Sequence, residues 1–309
     1  MNKAAKKLAD LGITLIVMGI ILTQKDTILT FISKYLNLKN TTVTIGEKNK
    51  YYRNYDFSYV QNTDNFNPEC RQDILNIYYT AINAGKDTFT FYCSKDYTTC
   101  IDDIVELAND QDTLSYINNF VHPYNGFQNI ETEYDTLGKI TIKINKSYTK
   151  EQITEIDRKL DFIEQNIIDR NRPIRENIKN THDYIINNAQ YDSEKKENGE
   201  SKYQSDLAYG PLIEGYGICG GYTDAMELIL ERLGVESYKV ASDNHVWNAL
   251  NLDNNWYHLD LTWDDPVTPD KVQIIDDSFL LIDTKKLLEV EADEHQFDQD
   301  IYAELKLKN

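Results

Sequence analysis

Residues 215–221 read Gly-Tyr-Gly-Ile-Cys-Gly-Gly. Behind them Tyr222, Ala225, Met226, Ile229, Leu230 and Leu233 recur at helical spacing, so Cys219 stands where a glycine-rich loop enters a mostly apolar helix. The unpaired N–H groups and the positive dipole end at such a position favour a thiolate over a thiol. The flanking glycines, Gly220 among them, leave room for a substrate backbone, and local N–H groups can hold an oxyanion. A cysteine at the edge of an apolar helix is equally at home in a core, so Cys219 alone does not establish chemistry.

A thiol nucleophile needs a base, and the base needs a carboxylate to orient it. Residues 240–252 read as a turn and strand carrying His245 and Trp247. Asp253-Asn254-Asn255 is a hairpin-like turn, and Trp256 to Trp263 follows as a second strand. The period of two puts His245 and Trp247 on one face, and His258 and Asp260 on one face. Adjacent antiparallel strands then bring His245 within reach of Asp260. Cys219, His245 and Asp260 fill the roles of nucleophile, base and orienter. His258 competes with His245 for the base role and is otherwise a structural histidine. The tryptophans at 247, 256 and 263 either pack a core or wall a cleft that excludes water, with Trp247, Trp263 and Tyr222 as the cleft candidates. Asp264 and Asp265, before Pro266, cap a turn. Metal-ligand spacings of His and Cys are absent, so no metal and no other cofactor is expected.

Glu214 to Tyr222, then His245-Val246-Trp247-Asn248, then Trp256 to Pro266 resemble, in order and context, the transglutaminase-like superfamily, whose fold is related to that of papain-like cysteine peptidases. The resemblance spans roughly residues 170–275. It implies that Cys219 is the nucleophile, His245 the general base and acid, and Asp260 the orienter. It also implies an oxyanion-supporting role for Tyr209, in the segment Ala208 to Leu212. The chain departs from the animal cross-linking enzymes. Cys219 and His245 are only 26 residues apart, and no calcium-loop pattern or flanking β-sandwich domain is visible. It is more similar to compact bacterial members of the family. Acyl transfer through a thiol is the expected chemistry, with the choice between hydrolysis and cross-linking left open.

The elements that must position these residues indicate an α+β fold: a nucleophile helix packed on an antiparallel sheet, preceded by a smaller α+β region and an N-terminal membrane helix. Three segments are expected: 1–40, a signal-anchor; 41–146, an α+β region of unknown role; and 147–309, the catalytic domain. Residues 41–63 read as a stalk or an irregular leading strand. A helix starts at Asn67-Pro68-Glu69 and ends near Gly85, and Thr88 to Tyr92 is a strand. Ile101 to Ala108 and Leu114 to Phe120 are short helices. Asn129 to Tyr134 and Lys139 to Asn145 form a hairpin. Thr149 and Gln152 suggest a capping box for a long helix, and a second helix follows Arg172-Pro173. Residues 192–205 read as an exposed loop, 278–290 as a closing strand and helix, and 291–300 as an acidic solvated face.

Lys3, Lys6 and Lys7 precede an apolar run from Leu11 to Leu22 with no small-residue cleavage site after it. This is the pattern of an uncleaved anchor that leaves the lysines inside and the rest of the chain outside, with secretion as the alternative. Residues 28–38 carry a weaker helical pattern. Cys93 and Cys100 are close enough in sequence for a disulfide outside the cytoplasm, and Cys70 is left over. The formal charge of −19 argues against nucleic acid as a partner. The expected partner is a protein or peptide substrate, cell-wall material included. The rival reading is a non-catalytic surface binding module that kept the fold.

Overall fold

The computed structural model describes residues 43–266, 274–290 and 293–307. The expected anchor within residues 1–40, and the pattern at 28–38, lie outside the described residues. Among the described residues no helix is long and apolar enough to cross a membrane. From Thr44 onward the chain forms one compact unit.

Residues 43–63 take no regular structure, yet they are not a stalk. Ile45, Phe57, Val60 and even Arg53 are buried, because this strand-less segment carries apolar residues that need a core. The first helix among the described residues, α1 (Arg71–Asn83), begins later than Asn67 because Cys70 occupies its N-cap, with the Asp73 carboxylate accepting from the Cys70 N–H at 3.2 Å. Strand β1 (Thr88–Tyr92), α2 (Cys100–Asn109) and α3 (Gln111–Asn119) follow. After a 3-10 turn at Pro123–Asn125 come β2 (Phe127–Tyr134) and β3 (Lys139–Lys146), which form an antiparallel sheet in the order β1-β3-β2. Cys93 and Cys100 are joined by a disulfide.

The capping box of Thr149 and Gln152 opens α4 (Lys150–Asn166), and Pro173 precedes α5 (Ile174–Asn188). A short strand, β4 (Gln190–Tyr191), leads into the segment expected as an exposed loop. That segment contains a short helix, α6 (Ser193–Asn198), and its two ends, Asp192 and Ser205, are buried. A π-helical turn (Gly210–Glu214) and β5 (Tyr216–Gly217), parallel to β4, deliver the chain to α7 (Cys219–Leu233).

Helix α7 packs against an antiparallel sheet in the order β6-β7-β8-β9: Ser237–Ala241, Val246–Leu252, Asn255–Leu259 and Leu280–Ile282. The turn between β7 and β8 is two residues long, with Asp253 and Asn254 both at positive φ, 56° and 61°. That turn matches the twist of the strands and sets their register. A final helix, α8 (Thr284–Glu289), and a 3-10 turn (Ala303–Leu305) close the described chain.

Two features differ from a simple amphipathic reading. Helix α7 buries Asp224 and Glu227 as well as its apolar side, and pairs its exposed Glu231 with a buried histidine. Arg53 reaches Glu227 at 2.5 Å, Lys239 reaches Asp224 at 2.9 Å, and His122 reaches Glu231 at 2.8 Å. The last segment is not a solvated face throughout. Asp293, Asp298 and Asp300 are exposed, but His295, Ile301 and Tyr302 are buried, because the apolar and aromatic residues between the acids anchor the chain to the core.

Candidate active site

Cys219 is the first residue of α7, and Ile218 caps the helix in extended conformation without a side-chain bond. The first N–H groups of a helix have no acceptor within it, and no acidic residue occupies this first turn. The glycines after Cys219 serve the chain itself. A Cβ on Gly221 would lie 2.3 Å from the Ser205 carbonyl, and one on Gly220 would lie 2.9 Å from that of Asp206. Residues 205–207 therefore run tightly over the start of α7, and the expected room for a substrate is taken up on that side.

Cys219, Gly220 and His245 line one cleft of about 360 Å³. Its opposite wall comes from α3 and the turn after it, including Ser115, Asn118 and Pro123, and its floor from Asp224 and Lys239. Its surface is as apolar as it is polar, and Asp206 and Asp243 are exposed among its lining residues. On the floor, the Tyr148 hydroxyl donates to Asp224 at 2.6 Å and accepts from the Ala208 N–H at 2.8 Å. Burial opposes the charge on Lys239, but Asp224 and Glu227 outweigh it and raise its pKa.

The register Asn248 to Leu259 across β7 and β8 brings His245, just before β7, diagonally over Asp260, just after β8. His245 Nε2–H donates to Asp260 Oδ2 at 2.5 Å. Nδ1 is then the ring nitrogen left to face Cys219. Burial disfavours the charged ring, but the Asp260 carboxylate, with Cys219 adding to it, pushes the His245 pKa up to about 10. Burial likewise opposes the Asp260 charge, and the two histidines bonded to it overcome this and hold its pKa well below the usual range. The other carboxylate oxygen accepts from the Thr262 and Trp263 N–H groups at 2.9 and 3.3 Å. Those bonds fix the carboxylate in place.

His258 has its own partners. Its Nδ1 accepts from Trp247 Nε1–H at 2.9 Å. Its Nε2–H donates to the Thr284 hydroxyl at 3.0 Å, which itself donates to the Leu305 carbonyl. Burial, with His295 adding to it, lowers its pKa to about 3. It is a structural histidine that orients Trp247. Trp247 is wholly buried and lies behind His245, with ring centroids 5.7 Å apart. Trp263 is half-buried against Phe279 and His295. The Tyr222 hydroxyl donates to Asp265 at 2.5 Å, tying α7 to the loop after Asp260. The Tyr209 hydroxyl donates to Glu155 of α4 at 2.6 Å and does not line the cleft. Of the sequence-derived candidates, the structure gathers Cys219, Gly220 and His245 at the cleft with Asp260 behind them. Trp247, Trp263 and Tyr222 support that group from within.

Three contributors had no signal in the motifs. Tyr191 on β4 stands beside Cys219. Burial, with Cys219 next, pushes its pKa up to about 12. Lys239 shares the floor with Asp224. His295 reaches Asp260 Oδ2 at 2.9 Å through Nε2. His245, Asp260 and His295 have ligand-type atoms within 4.8 Å of one another, a grouping that their mutual hydrogen bonds account for.

Residues 161–261 match the model of the transglutaminase-like superfamily. No curated protein matches the chain. Among solved structures, a TGase is similar at 16 % identity and a TM-score of 0.35, over 48 % of this chain and 47 % of that one. A candidate cysteine protease from Cytophaga hutchinsonii is similar at 13 % identity and a TM-score of 0.27, over 47 % of this chain and 64 % of that one. The chain thus spans less than two thirds of the length of either structure.

Proposed function

We propose that the protein is a thiol enzyme that transfers acyl groups from amide bonds, a reading supported by the match of residues 161–261 to the model of the transglutaminase-like superfamily. The observation that carries this reading is the bonded pair of His245 and Asp260 behind a cleft that also exposes Cys219. The Cys219 sulfur attacks the amide carbonyl, forming a carbon–sulfur bond. The carbon–nitrogen bond breaks, and the departing amine takes the proton held on His245 Nδ1. A ring with its pKa near 10 carries that proton at neutral pH, so His245 acts first as an acid. Water or an amine then gives a proton to His245 and attacks the thioester, and the sulfur leaves. The N–H groups at the start of α7 are the local donors for the oxyanion.

The exposed Asp206 and Asp243 of the cleft suit a peptide with neutral or cationic groups near the reacting amide. The chain works outside the cytoplasm, anchored by the apolar run at 11–22 or released. The Cys93–Cys100 disulfide supports that compartment.

The test is to incubate the protein with a glutamine-containing peptide pool and a labelled primary amine. Labelled peptides indicate cross-linking, and new free carboxylates without label indicate hydrolysis. Both products should vanish in Cys219→Ser. A pool unchanged by the native protein would overturn the reading.

A further inference from the structure

His295 lies outside the family-matched segment, in a stretch whose composition promises only a solvated surface. It is 1 % exposed, and its ring is enclosed by Phe279, Trp263 and Trp247, with centroids 4.9, 4.9 and 5.0 Å away. Its Nε2 meets the same Asp260 oxygen that binds His245. A carboxylate only accepts, so His295 carries its proton on Nε2 and donates it. Its Nδ1 is buried without a partner.

Resting on the reading of Cys219, His245 and Asp260 as reactive groups, we infer that His295 is a positioning residue that acts through Asp260. Asp260 takes four hydrogen bonds: two backbone N–H groups on one oxygen, and His245 and His295 on the other. The backbone bonds fix one oxygen. His295 holds the second together with His245, which restrains the carboxylate from turning its lone pair away from His245. His295 also helps keep the carboxylate ionised, and that charge holds the proton on His245. The C-terminal segment thereby takes part in setting the geometry of the reactive pair.

Two substitutions separate the donor from the ring. His295→Gln places an amide N–H near the Nε2 position but removes the ring. His295→Phe keeps a ring among the aromatic residues but removes the donor. Both are made on the full chain in a Cys70→Ser background, and both are checked for cooperative unfolding. If His295→Phe fails to fold, His295→Asn, whose amide stops short of Asp260, replaces it. The readout is the rate of Cys219 alkylation by iodoacetamide as a function of pH.

The expected result is that His295→Gln stays within about twofold of the parent. His295→Phe falls about tenfold at neutral pH, with its acid limb moved to higher pH as Asp260 becomes easier to protonate. The reverse order, with Phe intact and Gln impaired, makes the ring packing decisive and overturns the inference. So does a profile unchanged in both. A parent protein whose Cys219 shows no activated reactivity instead overturns the proposed function, which distinguishes the two failures.

Discussion

His245 Nε2 and Asp260 Oδ2 are 2.5 Å apart and both residues are buried. The pair forms because a two-residue turn sets the register of β7 on β8, so that residues flanking the two strands meet diagonally. Its consequence is electrostatic. Burial alone would lower the His245 pKa, and the Asp260 charge reverses that.

Replacing Asp260 by Asn keeps the shape and removes the charge. Burial is then opposed by Cys219 alone, and the alkaline limb of Cys219 alkylation should fall well below its value near 10. At neutral pH the rate should drop at least about tenfold, because the imidazolium that supports the thiolate is lost. Alkylation profiles of the two proteins check this. An alkaline limb unmoved by the substitution would mean that Asp260 does not control His245.

Stability should depend on pH from both sides of neutrality. His258 has a folded pKa of about 3 against 6.5 unfolded, so the unfolded chain binds its proton first as the pH falls. Its contribution is complete above 6.5 and is lost as the pH drops toward about 3. The raised His245 contributes fully below 6.5 and is lost as the pH rises through about 10. Urea unfolding of His258→Asn, whose side-chain oxygen can still accept from Trp247, should show a shallower acid slope than the parent. Identical acid slopes would contradict the assignment.

The Arg53–Glu227 pair joins the irregular leading segment to the helix that carries Cys219. Breaking it on one side leaves a buried charge, so Glu227→Gln should cost about 3–5 kcal/mol in urea unfolding. Arg53→Met combined with Glu227→Leu should recover most of that loss. A double variant as unstable as the single one would mean that packing, not the uncompensated charge, sets the cost.

Much of this site was legible because it is made of short-range patterns. The Asp253-Asn254 turn, the period of two around His245 and Asp260, and the glycine-to-helix transition at Cys219 are each local, and the fold joins them through one hairpin and one helix. The three-stranded sheet and the helices of the leading half were legible for the same reason. What lay hidden depended on distant partners. The acidic face of α7 looks solvated until Arg53, Lys239 and His122 arrive from other segments. Asp264 and Asp265 look like turn caps, yet they bind His182 and Tyr222. His295 sat in an acidic stretch, and the signal that could have found it was the company of Phe297, Ile301 and Tyr302, which a solvated face does not need. Tyr209 was assigned by position alone, and its hydroxyl is bonded to α4.

Activation of Cys219 underlies every step of the proposed chemistry. The most direct measurement compares alkylation of the two free cysteines in one sample at neutral pH, by peptide mapping. Cys70 is exposed and Cys219 only partly so, so access alone favours Cys70. Cys219 should react at least about tenfold faster, and His245→Gln should remove the advantage. Cys219 reacting no faster than Cys70 would contradict that activation and leave the fold as a binding surface rather than an enzyme.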